Sequence, residues 1–162
     1  EALLLLSRDQ TPEETSTPIS LNDLIKEQLF QIQKINSDKD LEVKVSFENS
    51  IKEIIPERLF CICINNLISN AFNYTEQGSV TLKIKDRDII VEDTGCGIHP
   101  AALKRVHEPF YRENRESIKV KGFGLGLSIV YRICEQLGWK LVIESVQGQG
   151  TKATLTIPKK EV

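Results

Sequence analysis

Two runs that alternate apolar and polar residues, Val80 to Lys85 and Asp88 to Glu92, are separated only by Asp86 and Arg87. Alternation at period two turns one face of a strand toward a core, and a two-residue gap leaves room for a tight turn alone, so these runs predict an antiparallel hairpin. A second pair, Leu141 to Ser145 and Thr151 to Ile157, closes across Gln147-Gly148-Gln149-Gly150, and Leu41 to Phe47 alternates in the same way. Helical patterns lie between them. Ser20 precedes apolar positions at Leu21, Leu24, Ile25, Leu29 and Ile32, and Asp23 supplies a weaker acidic form of the capping box, so a helix is predicted from Leu21 to Asn36. A second is predicted from Glu57 to Tyr74, and a third from Gly122 to Leu137 behind a glycine-rich start. Strands that pair with sequence neighbours while helices are interspersed predict an α+β two-layer sandwich: a mixed, mainly antiparallel sheet with about three helices on one face. A doubly wound parallel fold fits this order less well.

The chain has 162 residues, the size of one ordinary domain. Residues 1–18 divide from the rest: Glu1 to Arg8 has the look of the last turns of a helix, and Asp9 to Pro18 is polar and proline-bounded, a linker composition. Residues 19–162 form the compact unit. A net charge of -2 gives no general attraction to nucleic acid or membrane, so any anion site must be local. The leucine block Leu3 to Leu6 is far shorter than the roughly 20 apolar residues of a membrane span. Without a Met anywhere, and without a basic flank before the leucines, the chain reads as an excised, cytoplasmic fragment. Cys61, Cys63, Cys96 and Cys134 lack metal-knuckle or redox-pair spacing and are expected to be reduced, small buried hydrophobes.

Three groups of residues carry chemistry. Asn66, Asn70 and Asn73 recur at i, i+4 and i+7, so their amides share one stripe of the second helix, while Phe60, Ile64, Leu67, Ile68 and Ala71 lie largely on the other. A solvated face is the bland explanation; Lys and Glu would serve it better than Asn, which is a poorer helix former. Asp93-Thr-Gly-Cys-Gly97 follows directly on a strand. A carboxylate there can accept from an exocyclic amine, and the glycines let backbone approach a flat ring. Gly122-Phe-Gly-Leu-Gly-Leu127 opens a helix, where free N–H groups and the positive dipole end favour phosphate. It has neither the Gly-Lys-Ser/Thr of a P-loop nor, with Leu127 at the third glycine position, a dinucleotide fingerprint. Between the glycine motifs, Lys104, Arg105, Arg112, Arg115, Lys119 and Lys121 outnumber Glu108, Glu113 and Glu116, a local excess of positive charge suited to a lid over a triphosphate.

In order along the chain, Asn-Asn-Leu-Ile-Ser-Asn-Ala-Phe-Asn-Tyr (65–74), Asp-Thr-Gly-Cys-Gly-Ile (93–98), Glu-Pro-Phe-Tyr-Arg (108–112) and Gly-Phe-Gly-Leu-Gly-Leu (122–127) resemble the N, G1, F and G2 boxes of sensor histidine kinases, of the GHKL superfamily. The likeness runs from about Leu3 to Pro158. It implies a Bergerat ATP-binding fold that takes ATP and Mg²⁺. Asn70 would ligate Mg²⁺ through its side-chain oxygen, Asn66 would line the phosphate end, and Asp93 would bind the adenine amine. Gly95, Gly97 and Ile98 would shape the adenine pocket, with Tyr74 and Asn73 near the nucleotide. Gly122, Phe123, Gly124, Leu125, Gly126 and Leu127 would hinge the lid and bind phosphate. Phe110 would anchor the lid, and Arg112, Arg115 and Lys121 would reach phosphate, with Asn66, Asn70 and Arg112 closest to the chemistry. Two positions depart from the family: Asn73 stands where a Lys or Arg is frequent, and His107 where an apolar residue is common.

The same resemblance implies transfer of the ATP γ-phosphoryl group to a histidine on a separate dimerisation domain, of which residues 1–18 would be the exit, with a response regulator downstream. His99 and His107 lack an acceptor-like context and are expected at helix ends or the surface. Two other readings stay open at this point. One is a gyrase-like or chaperone-like ATPase on the same fold. The hydrolytic relatives carry a Glu four residues before the magnesium-binding Asn, where this chain has Asn66. The other is a nucleotide-binding or interaction module without catalysis.

Overall fold

The computed structural model describes residues 17–109 and 125–159. Strand β1 (Ile19–Ser20) leads into helix α1 (Leu21–Ile35), followed by β2 (Leu41–Phe47), β3 (Lys52–Glu53) and helix α2 (Glu57–Tyr74). Then come β4 (Gly78–Lys85), β5 (Asp88–Asp93), the short helix α3 (Pro100–Leu103), helix α4 (Gly126–Leu137), β6 (Lys140–Val146) and β7 (Gly150–Thr156). Five strands form one sheet in the order β2-β4-β5-β7-β6, with β2 parallel to β4 and every other pair antiparallel. This is the mixed, mainly antiparallel sheet expected, with α1, α2 and α4 on one face. The expected helix from Leu21 to Asn36 ends at Ile35, and the four-residue α3 and the β1–β3 pair are elements that the periodicity did not announce.

Local chemistry accounts for the element ends. The Ser20 hydroxyl accepts from the Asp23 N–H at the start of α1, and Asn36 closes the other end by donating to the Ile32 carbonyl. The β4–β5 turn puts Asp86 at φ 52°, a left-handed conformation Asp tolerates better than most residues. Gly138, left-handed at φ 67°, ends α4 and lets Trp139 turn back under the helix, where its ring meets Phe60 edge-on.

Register explains how the sheet makes both a core and a site. One inward row runs Phe47, Ile84, Ile89, Leu155 and Leu141; the next runs Val45, Leu82, Val91, Ala153 and Ile143. All but Phe47, Val45 and Ile143 are buried, against Phe60, Ile64, Leu67, Ile68 and Ala71 of α2. A large apolar side chain buried this fully contributes about 1.5–3 kcal/mol each, so α2 is held chiefly by this stripe. The third inward row turns polar in midstream: Val43, Val80, Asp93, Thr151 and Ser145. The opposite face carries Glu42–Lys44, Lys83–Glu92 and Lys152–Glu144 ion pairs at 2.9–3.1 Å, half-exposed and individually worth little.

Candidate functional site

The polar row opens between the C-terminal end of α2 and the β6–β7 hairpin. Asp93 is 9% exposed. Its Oδ1 accepts from the Gly95 N–H at 2.8 Å and from the Thr151 N–H at 3.3 Å, and the Thr75 hydroxyl, whose single proton is shared between this carboxylate and the Ala71 carbonyl at 2.7 Å, stands beside it. Burial pushes the carboxyl above its ordinary pKa; the donors from Gly95, Thr151 and Thr75 oppose that rise without cancelling it, and Glu92 adds to it. With Oδ1 committed to two backbone N–H groups, the remaining acceptor capacity of Asp93 is what a ligand amine would use.

The loop after Asp93 is clamped on both sides. Cys96 N–H donates to the Tyr74 carbonyl at 3.1 Å, and Cys96 carbonyl accepts from Gly148 N–H at 2.7 Å. Ile98 N–H donates to the Ser145 hydroxyl at 2.8 Å, and that hydroxyl lies 2.9 Å from both the Gly150 carbonyl and Thr151 Oγ1. A Cβ on Gly95 would collide with the Tyr74 carbonyl and lie 2.8 Å from Thr75 Oγ1, so this approach needs glycine. Gly97, at φ 64°, would strike the Val146 carbonyl with any side chain. Thr75, Ser145 and Thr151 thus build the floor of the site, and the sequence reading missed all three. Thr75 directly follows the asparagine motif, and Thr151 follows a glycine pair; those adjacencies were the available signals.

Midway along α2, Asn66 Nδ2 donates to the Ile62 carbonyl one turn earlier, at 2.8 Å. That bond orients Asn66 Oδ1 away from its own helix. A Cβ on Gly126 would lie 2.8 Å from Asn66 Oδ1 and 3.8 Å from Asn70 Oδ1, so two amide oxygens converge on the first residue of α4. Its N-cap is Leu125, and among the described residues no side chain caps that helix start. The result is a pairing of acceptor oxygens with the positive end of a helix dipole, an arrangement that suits a metal–phosphate pair. Leu125 and Leu127 pack partly buried against the core. Asn73 and Tyr74 are half-buried in the last turn of α2.

Arg105, one of the basic residues counted between the glycine motifs, grips Glu108 through contacts of 2.8–3.2 Å, three residues on. One expectation needs correction: not all cysteines are buried hydrophobes. Cys96 is exposed and Cys61 half-buried, because the glycine loop around Cys96 is fixed through its backbone and leaves the thiol outside; Cys63 and Cys134 are buried. His99 caps α3 by accepting from the Ala101 N–H, and exposed His107 lies edge-on to Tyr131, as expected of helix-end and surface residues. Phe110, Arg112, Arg115, Lys119, Lys121, Gly122, Phe123 and Gly124 lie outside the described residues, as do residues 1–16.

A family model described as histidine kinase-, DNA gyrase B-, and HSP90-like ATPase matches residues 55–161. The chain is 32% identical over 140 residues to the sensor protein QseC of Escherichia coli (strain K12), covering 85% of this chain and 31% of QseC. It is 29% identical over 151 residues to the sensor histidine kinase ZraS of Salmonella typhi, covering 89% of this chain and 31% of ZraS. The chain thus spans about a third of the length of these relatives. The crystal structure of full-length ShkA in complex with AMPPNP superposes with a TM-score of 0.76 at 25% identity, over 95% of this chain and 34% of that one.

Proposed function

The chain belongs to the histidine kinase-, DNA gyrase B-, and HSP90-like ATPase family, and from that premise we propose that it is the ATP-binding catalytic domain of a two-component sensor histidine kinase. It would pass the γ-phosphoryl group of ATP to a histidine on a separate helical domain, which hands it to a response regulator; residues 1–18 would lead out of that domain. The observation that carries this reading is that one helix serves both ends of the cleft. Asn66 and Asn70 face the start of α4, and the C-terminal end of α2 walls the Asp93 pocket. From Asn66 to Thr75 the helix rises about 13 Å at 1.5 Å per residue, a span that suits a nucleotide laid base-first along the rod.

In this arrangement the free side of Asp93 accepts the adenine amine, and Gly95 and Gly97 admit the ring. Mg²⁺, when bound, neutralises phosphate charge. The amide oxygens of Asn70 and Asn66 fit a hard cation, and among the described residues no cluster of three His, Cys, Asp or Glu offers a rival site. The uncapped start of α4 receives phosphate oxygens, and Arg112, Arg115 and Lys121 would add charge from the lid anchored by Phe110. Phosphoryl transfer is dominated by such positioning and charge stabilisation, and the nucleophile comes with the partner domain.

The hydrolase alternative needs a base for water one turn before Asn70. Asn66 stands there, with its Nδ2 engaged by Ile62, and an amide takes no proton. Purified chain, given a helical domain with its acceptor histidine and γ-labelled ATP, should label that histidine and release phosphate far below the common enzyme range of about 1 to 10³ per second. Phosphate release within that range, abolished by Asn70→Ala, with no labelled histidine, would replace the kinase reading with the ATPase one.

A further inference from the structure

Helix α1 stops at Ile35 because Asn36 folds back: its Nδ2 and its backbone N–H both donate to the Ile32 carbonyl, at 2.9 and 3.0 Å. Lys39 N–H then donates to the Asn36 carbonyl at 3.1 Å, a turn that carries the lysine beneath the end of α2. There Lys39 Nζ donates to the carbonyls of Phe72 and Thr75, the second at 3.2 Å. These partners are 33 and 36 residues away in sequence.

A helix leaves its last four carbonyls without helical partners. Helix α2 has no basic residue in its last turn, and its cap, Thr75, is extended rather than a left-handed glycine. Its end is completed from outside instead. Ala71 carbonyl accepts from the Thr75 hydroxyl at 2.7 Å, Tyr74 carbonyl accepts from Cys96 N–H, and Phe72 and Thr75 carbonyls accept from Lys39. The helix end is therefore a node between a cation on one side and the Asp93–Gly97 loop on the other. A charged donor is the strongest of these partners, and it complements the negative end of the helix dipole.

We propose that Lys39 is a positioning residue for the base-binding half of the cleft, holding the end of α2 so that Tyr74 and Thr75 fix the Asp93–Gly97 loop with the Asp93 carboxylate against the 6-amino edge of the base. Without it two carbonyls lose a charge-assisted bond, the last turn frays, and the loop loses its fixed wall. The phosphate half, more than a turn earlier on the same helix, is unaffected.

The binding arm of the test rests on the nucleotide reading above. Titration calorimetry on the whole chain compares ATP with purine riboside triphosphate, which lacks the 6-amino group. Lys39→Met should weaken ATP by about tenfold, the scale of one lost hydrogen bond to a charged group, and purine riboside triphosphate by less than about twofold. Lys39→Arg should restore the ATP preference. Equal weakening of both nucleotides, or unchanged ATP affinity, overturns the proposal, since a loss of folded protein lowers both alike. If Lys39→Met does not fold, Lys39→Gln is measured by the same criteria. Hydrogen exchange on the nucleotide-free chain supplies an arm independent of ligand. The amides of Gly95 and Cys96 should exchange faster in the variant while Leu82 and Val91 keep their protection; unchanged exchange at Gly95 and Cys96 overturns it. Should the wild-type chain bind no ATP, the nucleotide reading fails alone, and this second arm still decides the role of Lys39.

Discussion

The two ends of the site, one at the middle of α2 and one at its C-terminal end, are built on different principles. At the Asp93 end nearly every polar atom has a fixed partner drawn from another element: α2 carbonyls, the β6–β7 hairpin, and Lys39 from the α1–β2 turn. At the Asn66 end the amide oxygens of two side chains face a helix start, and among the described residues the one side-chain bond that fixes these amides is Asn66 to its own helix. A flat, rigid base can be met by a prebuilt mould. A flexible triphosphate with its cation is better met by side chains that adjust, and the stiffness of each end matches the stiffness of what it would hold.

The sharpest way to break this contrast is Asp93→Asn. Because Oδ1 accepts from Gly95 and Thr151, an amide placed there keeps its oxygen on those donors, and a flip would set NH₂ against two N–H groups. The adenine amine then meets a second donor, and ATP affinity should fall by about a hundredfold, as expected for losing a hydrogen bond to a charge. The nucleotide-free variant should melt no lower than wild type, since removing a buried charge relieves its desolvation cost. The sign with pH follows from the raised pKa. The folded state holds the Asp93 proton more tightly than the unfolded chain, so protonation as pH falls through the raised value stabilises the fold while it weakens ATP binding. Calorimetry and melting curves of wild type minus Asp93→Asn, taken across that window, should show these opposite slopes; parallel slopes would contradict the assignment of Asp93.

On the phosphate side the effects should be smaller and cation-dependent. Asn70→Ala should weaken ATP by about tenfold in Mg²⁺ and little in a chelator, since a hard cation loses one oxygen ligand and its phosphate ligands remain. Equal losses with and without the metal would remove Asn70 from the metal site. Gly126→Ala tests adjustability directly. Its Cβ would lie 2.8 Å from Asn66 Oδ1, the far end of a side chain that can swing, whereas at Gly95 the obstacle is backbone. Alanine also favours a helix over glycine by about 1 kcal/mol. The variant should melt at or above the wild-type temperature and bind ATP within about threefold of it. A loss as large as that of Asp93→Asn would mean the phosphate end is as rigid as the base end.

Much of this was legible in the chain. Helix α2 and strand β2 have the boundaries that periodicity gives, and the turn at Asp86-Arg87 was visible as a two-residue gap. The asparagine stripe and the Asp93 loop do meet on one helix, the loop bonded to the end of α2 through Tyr74, and both signals are local: helical spacing and glycines in a row. What periodicity missed was short or distant. The β1–β3 pair has two residues a side, and α3 has four, too few to show a period. Lys39, Ser145 and Thr151 act on partners 33 to 58 residues away, Ser145 and Thr151 from the sheet and Lys39 from a turn, through tertiary packing that no local pattern encodes. Helix α4 begins at Gly126, later than the glycine run that led to an expected start at Gly122.

The position of β7 has a consequence for how the domain comes off the ribosome. It is threaded between β5 and β6, with its Asp88-to-Thr156 contact bridging 68 residues, and its Thr151 completes the donors around Asp93. A nascent chain that has emerged only through β6 holds β5 with one unpaired edge, Ile89 and Val91 without their cross-strand neighbours Leu155 and Ala153, and a pocket lacking part of its floor. Nucleotide therefore has no mould to stabilise until the seventh strand arrives, and during translation the growing domain is at its stickiest just before its site first exists.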